Sequence, residues 1–529
     1  MNTLSLYNGL LVTTLVTNTI DVVLLLVATM LLSPYSHIIH VSDGNNNMGD
    51  MLQKAHGMVA KNEYILLTFC TLLGSIILIG ANDLLTLLLG IELQSYSLYL
   101  IASTSQYPAN TGINEPSEAA GLKYYLLGAL ASALILLGIA ILYAVTGSTC
   151  IPTITELMVF KSSNSILGVG GTIEPSAILG ITLILIGIVW KFAGAPLHNW
   201  AVDVYDAIPT FSAAWLATIP KVALLTIMSE ILLLVPYSAG GEGGDLFQSL
   251  SPIWFILLIS VLSMVIGSIG ALTQPLMKRL LAYSSIGQLG FILLGISLGT
   301  QGTVVFYLAQ YTMTNAAIWL CLLITPLYNR DQRVNRVHNN THGAPIIPNL
   351  SIKSEIRNIT ELQGIHINNI YIALAYTVLF FSLAGIPPMV GFFAKLEIIS
   401  ASLTNGSLGV VISIIAILSS LISAAYYLRV IRAIFFSSIQ WHKKENQGGQ
   451  WPMGLTLNQP AMVGSSVPSV YILKNIAMKV KKQNEELGED LNRNITYTSA
   501  LIISFVTLMV TFFILQGNVV LIWCNLMTM

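Results

Sequence analysis

Charged residues are scarce in this sequence. Only 9% of its 529 residues are Asp, Glu, Lys or Arg, whereas 54% are hydrophobic, and the mean hydropathy is +0.75. Because about a quarter of the residues in soluble domains are charged, this composition indicates an integral membrane protein. The formal net charge is −1, so the chain offers no broadly basic surface, and we expect no nucleic-acid partner.

Clustered metal ligands are missing as well. The four cysteines are scattered singly along the chain: Cys70, Cys150, Cys321 and Cys524. Zinc and iron–sulfur sites need several thiolates close together, and the eight histidines do not pair within apolar segments as two membrane haems would require. We therefore expect no metal, redox centre or other cofactor in this chain. An Arg-rich presequence is also absent, because the first Arg is Arg279, so we expect the first apolar segment to be retained.

Apolar segments of about 20 residues recur instead, the length that crosses ~30 Å of hydrocarbon as an α-helix. The alternating pattern typical of a membrane β-barrel is absent. We predict an all-α polytopic membrane protein with about twelve transmembrane helices. They lie near residues 9–32, 63–80, 83–104, 121–147, 176–200, 211–236, 252–273, 276–298, 302–327, 370–404, 408–435 and 498–525.

These segments divide the chain into five parts. An N-terminal helix and an inner-side loop occupy 1–62, and two antiporter-like repeats of five helices follow at 63–236 and 237–435. Five crossings in each repeat would make the two repeats inverted relative to each other. The second repeat contains a polar insertion at 328–369. A polar segment at 436–497 then precedes a C-terminal helix at 498–529. We interpret both polar stretches as surface loops or partner-contact straps.

Most basic loop residues fall on one side of the membrane when the predicted helices are threaded alternately. That side receives the predicted loop 201–210 and both polar stretches, whereas Lys161 is the one basic loop residue on the opposite side. The positive-inside rule places the basic side in the cytoplasm or the mitochondrial matrix. Both termini would then face outward.

Four charged residues remain well inside predicted helices: Glu92, Lys191, Lys221 and Lys395. An ionisable group at mid-bilayer costs ~2.5–3.5 kcal/mol on insertion scales, so it usually faces a partner or a polar cavity. A carboxylate and three lysines in such surroundings can hold and release protons, which indicates a proton relay. The structural alternative is a protonated, inert carboxyl and lysines that extend to the membrane surface.

Four further residues are weaker candidates for the same path: Lys123, His198, Tyr283 and Tyr426. Lys123 opens its predicted helix and can equally extend to the interface. His198 lies near a membrane boundary, where a structural histidine is at least as common as a relay. The two tyrosine hydroxyls would extend a path of hydrogen bonds. Asp203 and Asp206 are expected to shape the turn into the next helix.

Helix-breaking residues accompany two of the lysines. Gly194 and Pro196 follow Lys191, and a Pro387–Pro388 pair precedes Lys395. Proline removes a backbone donor and interrupts a helix, so we predict discontinuous helices at both places. Broken helices in two matching halves, each with a charge at membrane depth, are typical of inverted-repeat transporters.

Four stretches carry a family resemblance. LLTLLLGIELQSYSLYL, VWKFAGAPLHNWAVDVYDAIPT, LMKRLLAYSSIGQLGF and FSLAGIPPMVGFFAKLEII resemble the antiporter-like membrane subunits of respiratory complex I. Multisubunit cation/proton antiporters and membrane hydrogenases share this family. The resemblance covers roughly residues 60–435. It implies a proton-translocating subunit, a translocase component of NADH:ubiquinone oxidoreductase in the mitochondrial inner membrane.

The resemblance also implies roles for individual residues. Glu92 matches the glutamate that pairs with the lysine of the first broken helix, here Lys191. Lys221 matches the central relay lysine, and Lys395 matches the lysine of the second broken helix, on the outward proton path. Gln288 stands where many relatives have a histidine, so we expect no titrating role for it. NADH, FMN, iron–sulfur clusters and ubiquinone would be bound by partner subunits.

Neighbouring membrane-arm subunits of complex I and lipids are the implied partners. One alternative is a cation/proton antiporter subunit of the same superfamily, although a sodium site should need further carboxylates besides Glu92. The other is a structural membrane anchor, in which the buried charges only hold neighbouring subunits in place.

Overall fold

The computed structural model describes residues 4–33, 48–104, 117–166, 175–232, 252–339, 355–436 and 500–511. Apart from Phe436, the predicted polar segment 436–497 lies outside the described residues, as do residues 340–354 of the polar insertion. Nearly all described residues belong to helices, which confirms the predicted all-α class.

A short hairpin precedes the helices, with strands β1 (Leu4–Leu6) and β2 (Leu11–Thr13) paired antiparallel. The helices of the first part are α1 (Leu15–Leu32), α2 (Met48–Ile79), α3 (Leu84–Thr104), α4 (Ser117–Thr146), α5 (Ile151–Ile166), α6 (Pro175–Lys191), α7 (Asn199–Ala207) and α8 (Thr210–Leu232). The second part contains α9 (Pro252–Thr273), α10 (Met277–Ser297), α11 (Gln301–Asn339), the short α12 (Ile365–Asn368), α13 (Ile370–Ala384), α14 (Val390–Leu403), α15 (Gly406–Phe435) and α16 (Ala500–Thr511).

Twelve of these helices fit the predicted membrane spans. Within the described ranges, eight helices are long and apolar enough to cross a membrane, and four shorter apolar helices accompany them. The shorter ones are Glu63–Ile79, Pro175–Lys191, Ile370–Ala384 and Ala500–Thr511. The prediction of about twelve spans is therefore confirmed by length and composition.

Two predicted boundaries are wrong. Residues 9–13 belong to the hairpin rather than to the first helix, and α1 begins after Thr14, whose side chain accepts a hydrogen bond from the Thr17 amide. The predicted span 176–200 ends early, at Lys191, and the predicted loop 201–210 is mostly helix α7. Because α7 contains two aspartates among apolar residues, it fits neither a membrane span nor a polar loop by composition. Asp203 and Asp206 accordingly lie within a helix rather than in a turn.

Both predicted helix breaks are confirmed. The described residues contain two sets of five membrane elements. The first set is α2, α3, α4, α6/α7 and α8, and the second is α9, α10, α11, α13/α14 and α15. In each set the fourth element is the broken one, with breaks at 192–198 and 385–389. Each break contains a cis peptide bond, Ala195–Pro196 or Pro387–Pro388. An odd number of crossings in each set makes the two sets run in opposite directions through a membrane.

Helix α8 forms the centre of the molecule. Every residue from Thr210 to Met228 is buried, and α8 contacts α2, α3 and α6 of the first set and α10 and α11 of the second. Glycines allow other pairs of helices to approach closely. A Cβ atom added to Gly138 of α4 would lie 2.6 Å from the carbonyl oxygen of Gly180 on α6. This contact between small residues is typical of helix packing in membranes.

Part of the polar insertion is not a surface loop, contrary to our interpretation. Asn358 bridges Leu276, and the Met277 amide donates to the Arg357 carbonyl at 2.7 Å. A 3₁₀ turn at Ile359–Leu362 then places Leu362 in the core with no exposed surface. Residues 357–359 therefore pair with the start of α10, whereas the 3₁₀ turn packs against α15, where Leu362 gains burial.

Candidate functional site

Glu92 and Lys191 meet between α3 and α6. The Lys191 Nζ atom lies 3.3 Å from Glu92 Oε1 and donates to the Ser95 hydroxyl at 3.2 Å. The Lys191 side chain is 4% exposed and the Glu92 side chain 21%. Ser95 follows Glu92 by three residues on α3, a spacing that places both on one helix face. The lysine is thus held by one carboxylate and one hydroxyl in nearly dry surroundings.

The position of Lys191 follows from the break that succeeds it. Lys191 is the last residue of α6, rather than a residue several turns inside a helix as the predicted span implied. The C-terminal end of a helix carries a partial negative charge from unpaired carbonyl groups, which favours a cation there. Trp200 of α7 donates to one of these groups, the Trp190 carbonyl, at 3.1 Å. The break therefore places Lys191 at a helix end whose partial negative charge favours a cation.

Lys221 lies on α8 and has a different kind of environment. It is 3% exposed, and its Nζ atom donates to the Ser285 hydroxyl of α10 at 2.9 Å. The same Nζ lies 5.5 Å from the ring centre of Tyr205, within range of a cation–π contact. None of the described residues places a carboxylate within 4.0 Å of Lys221. Among the described residues, the polar contacts of Lys221 are therefore an uncharged hydroxyl and an aromatic ring.

Lys395 occupies the second helix break. Its Nζ donates to the carbonyl oxygens of Leu383 and Ala384 at 2.9 Å each. Gly385 ends α13 in the left-handed conformation, at φ 80°, and leaves these carbonyls without helical partners. The Lys395 ammonium also lies 5.2 Å from the ring centre of Phe291. Each broken helix thus ends at a buried lysine. Lys191 is itself the last residue of α6, and the last carbonyl groups of α13 accept hydrogen bonds from Lys395.

Gln288 of α10 shares a hydrogen-bond acceptor with Lys395. Gln288 follows Ser285, the partner of Lys221, by three residues on α10, and its Nε2 donates to the Leu383 carbonyl at 3.0 Å. Lys395 donates to that same carbonyl. The Gln288 side-chain carbonyl accepts a hydrogen bond from Tyr307 at 2.5 Å. The sequence reasoning treated Gln288 only as a non-titrating substitution and missed its bridging position, which the spacing of Ser285 and Gln288 on α10 could have indicated.

The weaker candidates divide into two groups. Lys123 lies near the Asp203 carboxylate at 3.9 Å, with both side chains 47% exposed, so it belongs to a solvent- or headgroup-facing cluster. His198 is buried beside the first break, with Nδ1 3.2 Å from the Pro196 carbonyl and its ring 6.0 Å from that of Tyr283. Tyr426 is buried against Tyr427, with ring centres 4.4 Å apart.

A buried ion pair outside the predicted site joins α10 to the segment that follows α11. Lys278 is 2% exposed, and its Nζ donates to Glu355 Oε2 and to the Ile208 carbonyl, both at 2.8 Å. Glu355 Oε1 accepts a hydrogen bond from the Thr210 amide at 2.9 Å. Burial alone would raise the pKa of Glu355, but Lys278 and the Thr210 hydrogen bond hold that pKa below its usual value. The sequence alone places Lys278 at the basic end of a predicted helix and gives no sign of its pairing with Glu355.

Metal-ligand clusters are absent from the part of the chain that the structure describes, where no three His, Cys, Asp or Glu side chains come together. The cysteines within the described ranges, Cys70, Cys150 and Cys321, are free thiols. The donors that the site offers are one carboxylate, three lysines, hydroxyls and backbone carbonyls. Such a set can take up and release protons.

Known proteins share both the sequence and the fold. A family model described as NADH:quinone oxidoreductase/Mrp antiporter, transmembrane, matches residues 81–423. NADH-ubiquinone oxidoreductase chain 2 of Rhizopus oryzae is 32% identical over 529 residues, which span 99% of this chain and 88% of that protein. NADH-quinone oxidoreductase subunit N of Rhodospirillum rubrum is 35% identical over 375 residues, 70% of this chain and 66% of that protein.

Solved structures agree with these relatives. A chain of respiratory complex I from Thermus thermophilus with bound aureothin superposes with a TM-score of 0.58 at 26% identity, covering 82% of this chain and 80% of that one. A chain of the Mrp complex from Dietzia sp. gives a TM-score of 0.59 at 21% identity, covering 81% and 67%. At this identity the second likeness shows the fold alone.

Proposed function

Because this chain belongs to the transmembrane subunit family shared by NADH:quinone oxidoreductase and the Mrp antiporters, we propose that it is a proton-translocating membrane subunit of respiratory complex I. The observation that carries the proposal is the buried Lys191–Glu92 ion pair at the end of a broken helix. NADH oxidation and ubiquinone reduction, with FMN and iron–sulfur clusters, belong to partner subunits. The chain is then one component of a translocase.

The proposed location is the mitochondrial inner membrane, among other membrane-arm subunits and lipids. Full-length similarity to a mitochondrial-type chain 2 supports this location. Lys278 and Arg279 lie at the same end of the helices as Arg429, which donates to the Leu272 and Gln274 carbonyls at 2.6 Å each. This clustering supports a matrix-facing basic side, with both termini in the intermembrane space.

The Lys191–Glu92 pair is the proposed switch. Leaving one charge of a buried ion pair without its partner costs about 3–5 kcal/mol, and moving one proton against 100 mV costs ~2.3 kcal/mol. These energies are of the same size, so an electrostatic change passed from a neighbouring subunit can decide whether Lys191 keeps its proton beside Glu92. When the pair separates, the lysine passes its proton to the next group of the path and becomes neutral, which removes the cost of its own unpaired charge, while the Glu92 carboxylate, 21% exposed, keeps part of its hydration.

The remaining lysines continue the path. Lys221 and Lys395 hold protons against neutral acceptors, the Ser285 hydroxyl and the α13 carbonyls, and the Gln288 amide donates to one of the carbonyls that Lys395 uses. Since an amide does not titrate, protons between the two lysines move through hydroxyls and water. A proton can occupy these hydroxyls and water molecules one after another as the neighbouring charges change.

The assembled complex tests the proposal. We expect the native chain to co-migrate with a large membrane complex that reduces ubiquinone with NADH. In proteoliposomes, NADH oxidation should drive proton movement whether or not sodium is present. Proton movement that requires sodium and ignores NADH would indicate the antiporter alternative instead.

A substitution at Glu92 separates a relay from a structural anchor. Glu92→Gln preserves shape and removes the charge, so proton translocation per NADH should fall although the complex assembles. Glu118→Gln is a matched control, because Glu118 lies exposed in the first turn of α4. If the Glu92 variant assembles and translocates as many protons per NADH as the Glu118 variant, the chain is an anchor.

A further inference from the structure

A small cavity lies beside the Lys191–Glu92 pair, between α3, α4, α6, α7 and α8. Its wall includes Gln94, Ser95, Tyr99, Lys191 and Trp200. The space open to the centre of a water molecule is about 20 Å³, and one water needs roughly 10–15 Å³ by this measure. The cavity therefore has room for one water molecule and for no larger ligand.

Gln94 gives this cavity an unpaired donor. It is 2% exposed, and its Nε2 atom is buried with no hydrogen-bond partner among the described residues. A buried amide donor left without a partner costs about 1–3 kcal/mol, so native proteins normally pair such a group with protein or water. The unpaired amide and the adjoining space are independent observations that point to the same ligand.

The cavity also lies on the side of Lys191 that faces α8. Pro220 and Leu224, which flank Lys221 in the sequence of α8, complete its wall. Within the described structure, the hydrogen bonds of Lys191 run to α3 and the side-chain hydrogen bond of Lys221 runs to α10, so no direct bond joins the two lysines. A group in this cavity would lie between Lys191 and α8, where it could accept a proton from Lys191.

We propose that Gln94 holds one water molecule in this cavity and thereby positions the acceptor for the Lys191 proton, an inference that rests on the proposed function of Lys191. When the lysine leaves Glu92, the ammonium N–H bond breaks and an O–H bond forms on the water. At the same time one of the water's own O–H bonds breaks and its proton passes toward α8, to the neutral amine of Lys221, so the water is regenerated, Lys191 is left neutral and Lys221 becomes the ammonium. Gln94 keeps its own protons throughout and is a positioning residue.

A high-resolution cryo-EM map of the intact complex tests the water directly. We expect density for one water within hydrogen-bonding distance of the Gln94 amide and the Lys191 ammonium. In Gln94→Met, which keeps the length of the side chain and removes its polar atoms, this density should vanish while the Lys191–Glu92 contact remains. A native map that shows other ordered waters but none here overturns the proposal, even if the Met variant fails to assemble.

Proton translocation supplies the second readout. Gln94→Met should slow coupled proton translocation about tenfold, the worth of one hydrogen bond in the path of a charged donor. Ser97→Ala on the same helix should leave the rate unchanged, because the buried Ser97 hydroxyl donates only within its own helix, to the Leu93 carbonyl at 2.9 Å. An unchanged rate of proton translocation in Gln94→Met overturns this inference about the water and leaves the proposed role of Lys191 standing. Loss of the Lys191 role would instead appear as normal translocation in Lys191→Met, whatever the water does.

Discussion

The Lys278–Glu355 ion pair gives a prediction that can be worked in detail. With side chains 3% and 19% exposed, this pair is nearly dry, and removing one partner leaves an unpaired buried charge. Breaking such a pair costs about 3–5 kcal/mol, whereas replacing both partners by apolar side chains of similar size is often neutral. We therefore expect Glu355→Leu and Lys278→Met each to destabilise the local structure by about 3 kcal/mol. The double variant should destabilise the local structure by far less than the sum of the two single-variant destabilisations.

Amide hydrogen exchange in the purified complex measures this cost locally. The Met277 amide donates to Arg357 and the Ile359 amide donates to Pro275, so both report on the docking of this segment. A loss of about 3 kcal/mol corresponds to roughly 150-fold faster exchange at these amides, at 1.36 kcal/mol per factor of ten. Two results would refute the reasoning. One is amide exchange in both single variants less than about fivefold faster than in the native complex. The other is a fold-increase in the double variant equal to the product of the two single-variant fold-increases.

Two further predictions follow from the structure. The lowered pKa of Glu355 means that its stabilisation is present above the ordinary value of 4.5 and is lost as the pH falls through the lower folded value. The difference in exchange between native protein and Glu355→Leu, corrected for the intrinsic rate, should accordingly shrink below pH 4.5, and a difference that grows there would contradict the assignment. Gly385→Ala should reduce proton translocation more than Gly299→Ala does, although both glycines have positive φ, at 80° and 72°. A Cβ at Gly385 would lie 2.9 Å from Lys395 Cδ, whereas the one at Gly299 meets open space; equal losses in a proteoliposome assay would exclude a specific effect on Lys395.

The sequence predicts the parts of the site that conflict with their local surroundings. A lysine in an apolar run conflicts with the cost of burying charge, and a Gly-Ala-Pro or Pro-Pro stretch conflicts with helix continuity. These conflicts locate Lys191, Lys395 and both helix breaks without any structure. The long apolar runs likewise predict the number of spans, because hydrocarbon thickness sets their length.

Contacts between distant segments are beyond such reasoning. Glu355 lies 77 residues from Lys278, in a polar stretch whose composition indicates a loop, and only the folded chain shows that the two side chains meet. Lys278 itself stands at a helix start, where a basic residue usually faces water or headgroups. Hydropathy also cannot identify α7, since a nine-residue helix with two aspartates is too short and too polar for a span.

The bridging role of Gln288 was missed for a related reason. A glutamine does not titrate, and so a search for titratable groups passes over it. The structure shows that its amide and Lys395 share one acceptor, the Leu383 carbonyl, which Gly385 frees by ending α13. The sequence predicts the break, but the partner that uses the exposed carbonyl depends on how α10 packs against α13 and α14.

The most direct measurement of the central claim is the number of protons translocated per NADH oxidised by the intact complex carrying Lys191→Met. The account predicts that this ratio falls while NADH–ubiquinone electron transfer persists, because Glu92 loses the partner with which it holds the proton. The matched control Lys123→Met, at a side chain that is 47% exposed, should keep the native ratio. A native ratio in an assembled Lys191→Met complex would contradict the account.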